Sequence, residues 1–221
     1  MFPNRPCSLL VALLLWWATA NALASSGQAM LDAIVDGQVR RVAILLDQGV
    51  SPEATTAHGE HAGKSALMWA AESGQIPIIR LLLQYGAQVD RNNPKGGTAL
   101  MYAAVAGRTD AIRILVAAGA DPGQRVRHGW TPLLLATAKG HVDSVRALVE
   151  LGADVNTRDV YGWTLLMHAT DREDRAMIEA LLELGLDPHA ADENGMSAIA
   201  LAQRRNSPDL LRLLNGGTVP R

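Results

Sequence analysis

With one cysteine, one phenylalanine and only 4% aromatic residues in 221, this chain has little with which to build a disulfide framework or an aromatic-rich β-sandwich. Charge of neither sign dominates. Lys and Arg number 20 against 22 Asp and Glu, a net charge of -2, and the basic residues are scattered. That excludes a dominant nucleic-acid role, which needs concentrated positive charge. No Asn-x-Ser/Thr sequon occurs, and there is no GxSxG elbow, dinucleotide-type glycine loop or P-loop. What is present is 48% hydrophobic residues, rich in Leu and Ala, which suits one helical, soluble domain with a continuous core.

The only long apolar run lies at the start. Arg5 precedes an unbroken stretch from Leu9 to Trp17, and small residues follow. Residues 1–24 are therefore predicted to be a secretory signal peptide. Ala18-Thr19-Ala20 and Ala22-Leu23-Ala24 both fit signal peptidase, the second slightly better. A membrane anchor is the alternative, but the run is short of the roughly 20 residues a bilayer span needs. Cys7, without small apolar residues before it, does not read as a lipidation site. Its removal with the leader would leave a cysteine-free mature chain, suited to an oxidising compartment and dependent on packing for stability.

A 33-residue period organises the remainder. Gly63, Gly96, Gly129, Gly162 and Gly195 are each 33 apart. Two residues after each comes a hydroxyl (Ser65, Thr98, Thr131, Thr164, Ser197), and two further on an aliphatic (Leu67, Leu100, Leu133, Leu166, Ile199). A second glycine series, Gly86, Gly119, Gly152 and Gly185, keeps step. The hydroxyls are placed to cap a short helix, most clearly at Thr131-Pro132. Small residues such as Ala70, Ala103, Ala136 and Ala169 let neighbouring helices approach, and Gly74, Gly107 and Gly140 end those helices. A longer second helix puts Ile79, Leu82 and Leu83 inward, echoed by Ile112, Leu115 and Val116, by Val145, Leu148 and Val149, and by Ile178, Leu181 and Leu182.

These segments, GKSALMWAAESG, GGTALMYAAVAG, GWTPLLLATAKG and GWTLLMHATDRE, with closing GAQVD, GADPG, GADVN and GLDPH, resemble the ankyrin-repeat family. The resemblance implies an all-α solenoid of helix-turn-helix units with projecting turns. It covers residues 28–216 as six repeats, approximately 28–58, 59–92, 93–125, 126–158, 159–191 and 192–216. The first, MLDAIVDGQVRRVAILLDQGVSP, is degenerate, with Val42 and Leu45 facing inward beside Arg40 and Arg41. The last is shortened, restarts at Ser207-Pro208, and offers Arg204, Arg205 and Arg212 outward, so both ends suit capping units.

Departures from the family pattern carry expectations of their own. The histidine of the TPLH motif is replaced by Met68, Met101, Leu134, Met167 and Ala200, so the turns are expected to rely more on packing. The first-to-second spacing, Gly37 to Gly74, is 37 rather than 33, which enlarges a turn around Thr56 to Ala62 without disturbing the helices. Glu173 stands where a glycine is expected, so that corner must close without one.

The resemblance also implies protein binding through the concave face, built from turns and the exposed side of the first helices. On this chain the turn tips include His61, Lys64, Arg127, His128, Trp130, Tyr161, Trp163 and Met196. The short helices add Trp69, Tyr102, Leu135 and His168, with Glu72, Lys139, Asp171 and Arg172 nearby. Trp69, Tyr102, Arg127, His128, Trp130, Tyr161, Trp163, His168 and Arg172 are the partner-binding candidates, since aromatics beside arginine are frequent interface anchors. The competing reading of Trp130 and Trp163 is packing over adjacent turns. His168 and Asp171, on adjacent helical turns, read as a solvated pair or a partner contact. His58, His61 and Glu60 read as an exposed polar loop, not a metal site. No cofactor, metal, nucleic acid, membrane contact after leader removal, or particular oligomeric state is implied, and no enzymatic activity is expected.

The chain also resembles small exported bacterial ankyrin proteins, some of them associated with catalases. A periplasmic accessory or adaptor, in support of an antioxidant enzyme, is the leading expectation, with secretion as the alternative location. An immunity-type inhibitor of a toxic exported enzyme, a structural envelope protein and a host-directed effector are the other readings.

Overall fold

The computed structural model describes residues 26–216. The predicted leader, Cys7 and the alternative cleavage sites lie outside the described residues.

Among the described residues twelve α-helices follow one another as six antiparallel pairs: α1 (26–35) with α2 (Val39–Asp47), α3 (Ala66–Ser73) with α4 (Ile76–Gln84), α5 (Ala99–Val105) with α6 (Thr109–Ala117), α7 (Pro132–Lys139) with α8 (Val142–Glu150), α9 (Leu165–Asp171) with α10 (Arg175–Glu183), and α11 (Ala198–Arg204) with α12 (Pro208–Leu214). From α3 onward each first helix packs on the next first helix, and from α2 onward each second helix on the next second helix. Two helical layers therefore run the length of the stack, with a turn projecting between successive pairs.

From α3 onward capping starts each first helix as the sequence requires. The side-chain oxygens of Ser65, Thr98, Thr131, Thr164 and Ser197 accept from the N–H of Met68, Met101, Leu134, Met167 and Ala200 at 3.2–3.4 Å. Ser207 occupies the same position before Pro208 but makes no side-chain cap bond. The Leu67, Leu100, Leu133, Leu166 and Ile199 series is buried throughout, and Leu82, Leu115, Leu148 and Leu181 are fully enclosed.

The inward face of the second helices is rotated slightly from expectation. Leu83, Val116, Val149 and Leu182 are only half-buried, whereas Ile78, Ala111, Ser144 and Met177 are enclosed. The reason is two-sided packing: each second helix touches its own first helix and the second helices before and after it, so the buried arc widens toward its N-terminal turn. In α2 the fully buried pair is Val42 and Leu46, with Leu45 at the margin.

The turns hold together by more than apolar packing, contrary to expectation. Met68 and Met167 sulfurs accept the N–H groups of Ser65 and Thr164 at 3.3 and 3.5 Å, completing reciprocal caps that a Glu or Gln usually supplies. Arg125 donates to the carbonyls of Gly129 (3.2 Å) and of Arg158 in the next turn (2.8 Å). Arg158, 33 residues on, repeats this with Gly162 (2.8 Å) and Ala191 (3.0 Å). Each arginine ties its own turn to its successor.

A second set of cross-unit bonds closes the first helices. Arg108 Nε donates to Glu72 O (3.0 Å) near the end of α3, and His141 Nε2 to Val105 O (2.9 Å) at the end of α5. Carbonyls left without an intrahelical partner are thus capped by the following pair. This also explains the corner glycines. Gly107 has φ +66°, and a Cβ there would lie 2.6 Å from His141 Nδ1. Glu173 adopts the same left-handed conformation, φ 56°, so the corner closes as glycine would close it. The residue 34 positions beyond it, where His141 stands relative to Gly107, is Ser207, a much smaller side chain.

The enlarged turn of the second unit leaves α3 in register. An isolated antiparallel bridge between Thr55 and Ser65 pins its base.

Candidate binding face

A recurring pair of positions, one in the turn and one on the first helix, shapes the exposed face. Thr56 Oγ1 accepts from Trp69 Nε1 (3.0 Å), Asn93 Nδ2 donates to the Tyr102 hydroxyl (2.9 Å), and Asp159 Oδ2 accepts from His168 Nε2 (3.1 Å). In the fourth unit the corresponding residues are Val126 and Leu135, an apolar pair in place of a polar one. The turn member also organises its own loop. Asn93 Oδ1 accepts from the N–H of Lys95 and Gly97, Asp159 Oδ1 from Tyr161 and Trp163, and Asp192 Oδ1 from Asn194 and Met196, all at 2.8–3.0 Å.

Two regions of this face differ in what fills them. In the first, Lys64, expected at an exposed turn tip, is 1% exposed. Its ammonium sits 3.6 Å from the centre of the Trp69 ring and 4.5 Å from that of Tyr102, and pairs with Glu72. Burial is tolerated because two π-faces and one carboxylate replace water. His61 packs edge-on against Trp69 at 5.1 Å. Beside it an apolar cleft of about 230 Å³ lies against Tyr102, Val105, Val126 and Leu135. Trp69 and Tyr102 are thus engaged within the chain.

The second region is open. A cleft of about 630 Å³ lies between the turns leading to α7, α9 and α11. His168 stands at its base between two indoles, 4.9 Å from Trp130 and 5.2 Å from Trp163 between ring centres. Burial holds the His168 pKa below its ordinary 6.5, outweighing the opposing pull of Asp159 and Asp171. The ring is therefore neutral at pH 7 and donates Nε2–H to Asp159, whose carboxylate accepts three hydrogen bonds in all. Asp171 pairs instead with Arg205 at 2.6 Å, so the His168–Asp171 pairing expected from sequence is not formed. Asp159 is nine residues before His168 and on a different element, which hid it from a helical-spacing argument.

Trp130 and Trp163 are half-buried and packed on the core while still lining the cleft. Packing and surface roles coexist. Val160 (60% exposed) and Tyr161 (66% exposed) form its apolar lip, and Asp192, Glu193 and Asn194 its far wall. Four candidates from sequence, Trp130, Tyr161, Trp163 and His168, converge here. His128 is exposed on the adjoining turn, φ 67°, its carbonyl accepting from Val160 N–H at 3.1 Å. Arg172 is exposed at the end of α9, and neither lines the cleft. Arg127 begins a single 3-10 turn, Arg127–Gly129, and its side chain is outside the described part.

The repeating pairs and stacked turns have a counterpart among known families. The family described as ankyrin repeats (3 copies) matches residues 8–93, 29–126, 89–159 and 119–192. The chain belongs to the ankyrin-repeat family. No curated protein matches it. Ankyrin repeats are non-catalytic scaffolds for protein–protein interaction, usually through their concave face. Among the described lining residues there is no Ser, Thr, Cys or Lys that His168 could activate as a nucleophile. Among the described residues no group of three or more His, Cys, Asp or Glu is placed to hold a metal ion, and no helix is long and apolar enough to cross a membrane.

Proposed function

We propose that this ankyrin-repeat chain is an exported, periplasmic accessory or adaptor protein that holds one protein partner against the cleft around Trp130 and Trp163. The observation that carries the binding face is the convergence of Trp130, Tyr161, Trp163 and His168 on one open cleft. Aromatic side chains fixed by packing on one side and open on the other lose little entropy when covered, which is how interface anchors behave. The exposed Val160 and Tyr161 add apolar surface that no described residue covers. Export rests on the N-terminal pattern of Arg5, the apolar run and the small-residue exit. Support of an antioxidant enzyme such as a catalase is the accessory role the sequence resemblance favours.

Affinity capture from periplasmic extract tests this reading, with wild type, Trp130→Ala/Trp163→Ala and Tyr161→Ala as baits. Among the described residues Tyr161 is hydrogen-bonded through its backbone N–H and not its hydroxyl, so its truncation is expected to leave the fold intact. One stoichiometric partner, lost with the double variant and weakened with Tyr161→Ala, is expected. A captured catalase marks the accessory role, and a captured toxic hydrolase would replace it with inhibition. Undiminished capture by both variants would remove the cleft from the interface.

A further inference from the structure

Both regions of the binding face combine aromatic rings with carboxylates, drawn from different repeat positions. In the first, two aromatic faces, Trp69 and Tyr102, and the carboxylate of Glu72 surround an ammonium that the chain supplies itself. The position of Lys64 recurs 66 residues later as Trp130 and again 33 later as Trp163. In the open cleft the turns therefore present indoles where the second unit presented a cation. Carboxylates are there too: Asp192 and Glu193 line the cleft and form no ion pair among the described residues, and Asp192 accepts its two turn bonds through Oδ1. No lysine or arginine is among the described lining residues. Aromatic faces and carboxylates thus line the same cleft.

We propose that the cleft receives a basic side chain, arginine or lysine, from an extended segment of the partner protein, seated between Trp130 and Trp163 with its charge toward Asp192 and Glu193. This rests on the reading of the cleft as the partner-binding site and names what it recognises. A guanidinium or ammonium over an indole gains from the ring quadrupole, and the gain grows as the site is desolvated. A planar guanidinium also stacks and reaches two carboxylates together. Asp159 is not available for this, since its three acceptor bonds are internal.

The test titrates blocked glycine-serine peptides carrying one central arginine, lysine or citrulline into ¹⁵N-labelled full chain, and follows the indole N–H signals. Citrulline keeps the shape of arginine without its charge. Saturable shifts at Trp130 and Trp163 with the arginine and lysine peptides are expected, with Trp69 unmoved because its face is occupied by Lys64. Citrulline should bind at least tenfold more weakly, and raising salt should weaken the charged peptides. Asp192→Asn/Glu193→Gln should also reduce affinity at least tenfold. It is expected to fold, because Asn93 makes the same two turn bonds at the equivalent position. Equal shifts with citrulline, or arginine binding unaffected by the double variant, would overturn the proposal. Partner capture that depends on Trp130 and Trp163 but not on Asp192 and Glu193 would overturn it too, while leaving the binding face in place.

Discussion

At the scale of single residues, two corner positions make opposite predictions. Gly107 is left-handed and faces His141 at a distance no Cβ tolerates, so Gly107→Ala should destabilise by roughly 1–3 kcal/mol. Glu173 has the same backbone conformation and carries a strain of about 1–2 kcal/mol that glycine would not. Glu173→Gly should therefore be neutral to stabilising by up to about 1 kcal/mol after the flexibility cost of glycine, with Arg205 keeping Asp171. Urea unfolding of both variants reads the two signs directly. His168 sets a pH dependence. Its folded pKa is lowered by burial, so the unfolded chain takes up the proton first. The stability this residue contributes is complete above about pH 6.5 and is lost as pH falls through the lower folded value. Asp159 and Asp171 face the ring, with Arg205 behind Asp171, and reduce the effect without reversing it. His168→Gln should therefore show a shallower loss of stability between pH 7 and 5 than wild type, measured by urea midpoint. An equal or steeper loss would show that His168 is not held neutral.

At the scale of helices and turns, the sequence was legible wherever one residue type serves one local purpose in every unit. Hydroxyl caps, corner glycines and the Leu67 series each repeat with the period, so they could be read without knowing the neighbours. What was not legible depended on residues that meet across units. Lys64 looked like a turn-tip cation because its burial is decided by Trp69, Tyr102 and Glu72, none adjacent in sequence. The His168–Asp159 bond spans a turn and a helix. A signal did exist in the third to fifth units: residues nine apart change together, polar in Asn93/Tyr102 and Asp159/His168, apolar in Val126/Leu135. The arginine ties at Arg125 and Arg158 were likewise visible only as a 33-residue recurrence with no obvious purpose. Arg158→Ala should cost about 1 kcal/mol and speed amide exchange in the turns at 159–163 and 192–196, leaving α4 unchanged. Uniform loss of protection along the stack would argue against a local tie.

At the scale of the whole molecule, no helix pair encloses its own apolar face, so stability passes from unit to unit. Leu82, fully enclosed between α4 and its neighbours, should cost about 2–5 kcal/mol on change to Ala and lower the unfolding midpoint of the whole stack. The binding face is equally a property of the stack: three successive turns frame one cleft, and no single unit contains it. Hydrogen exchange of the full chain with and without its captured partner tests that account most directly. Protection gained at the turn amides of 159–163 and 192–196, with α8 and α10 unchanged, is the expected footprint. A footprint on α8 and α10, with those turns exchanging as before, would contradict it.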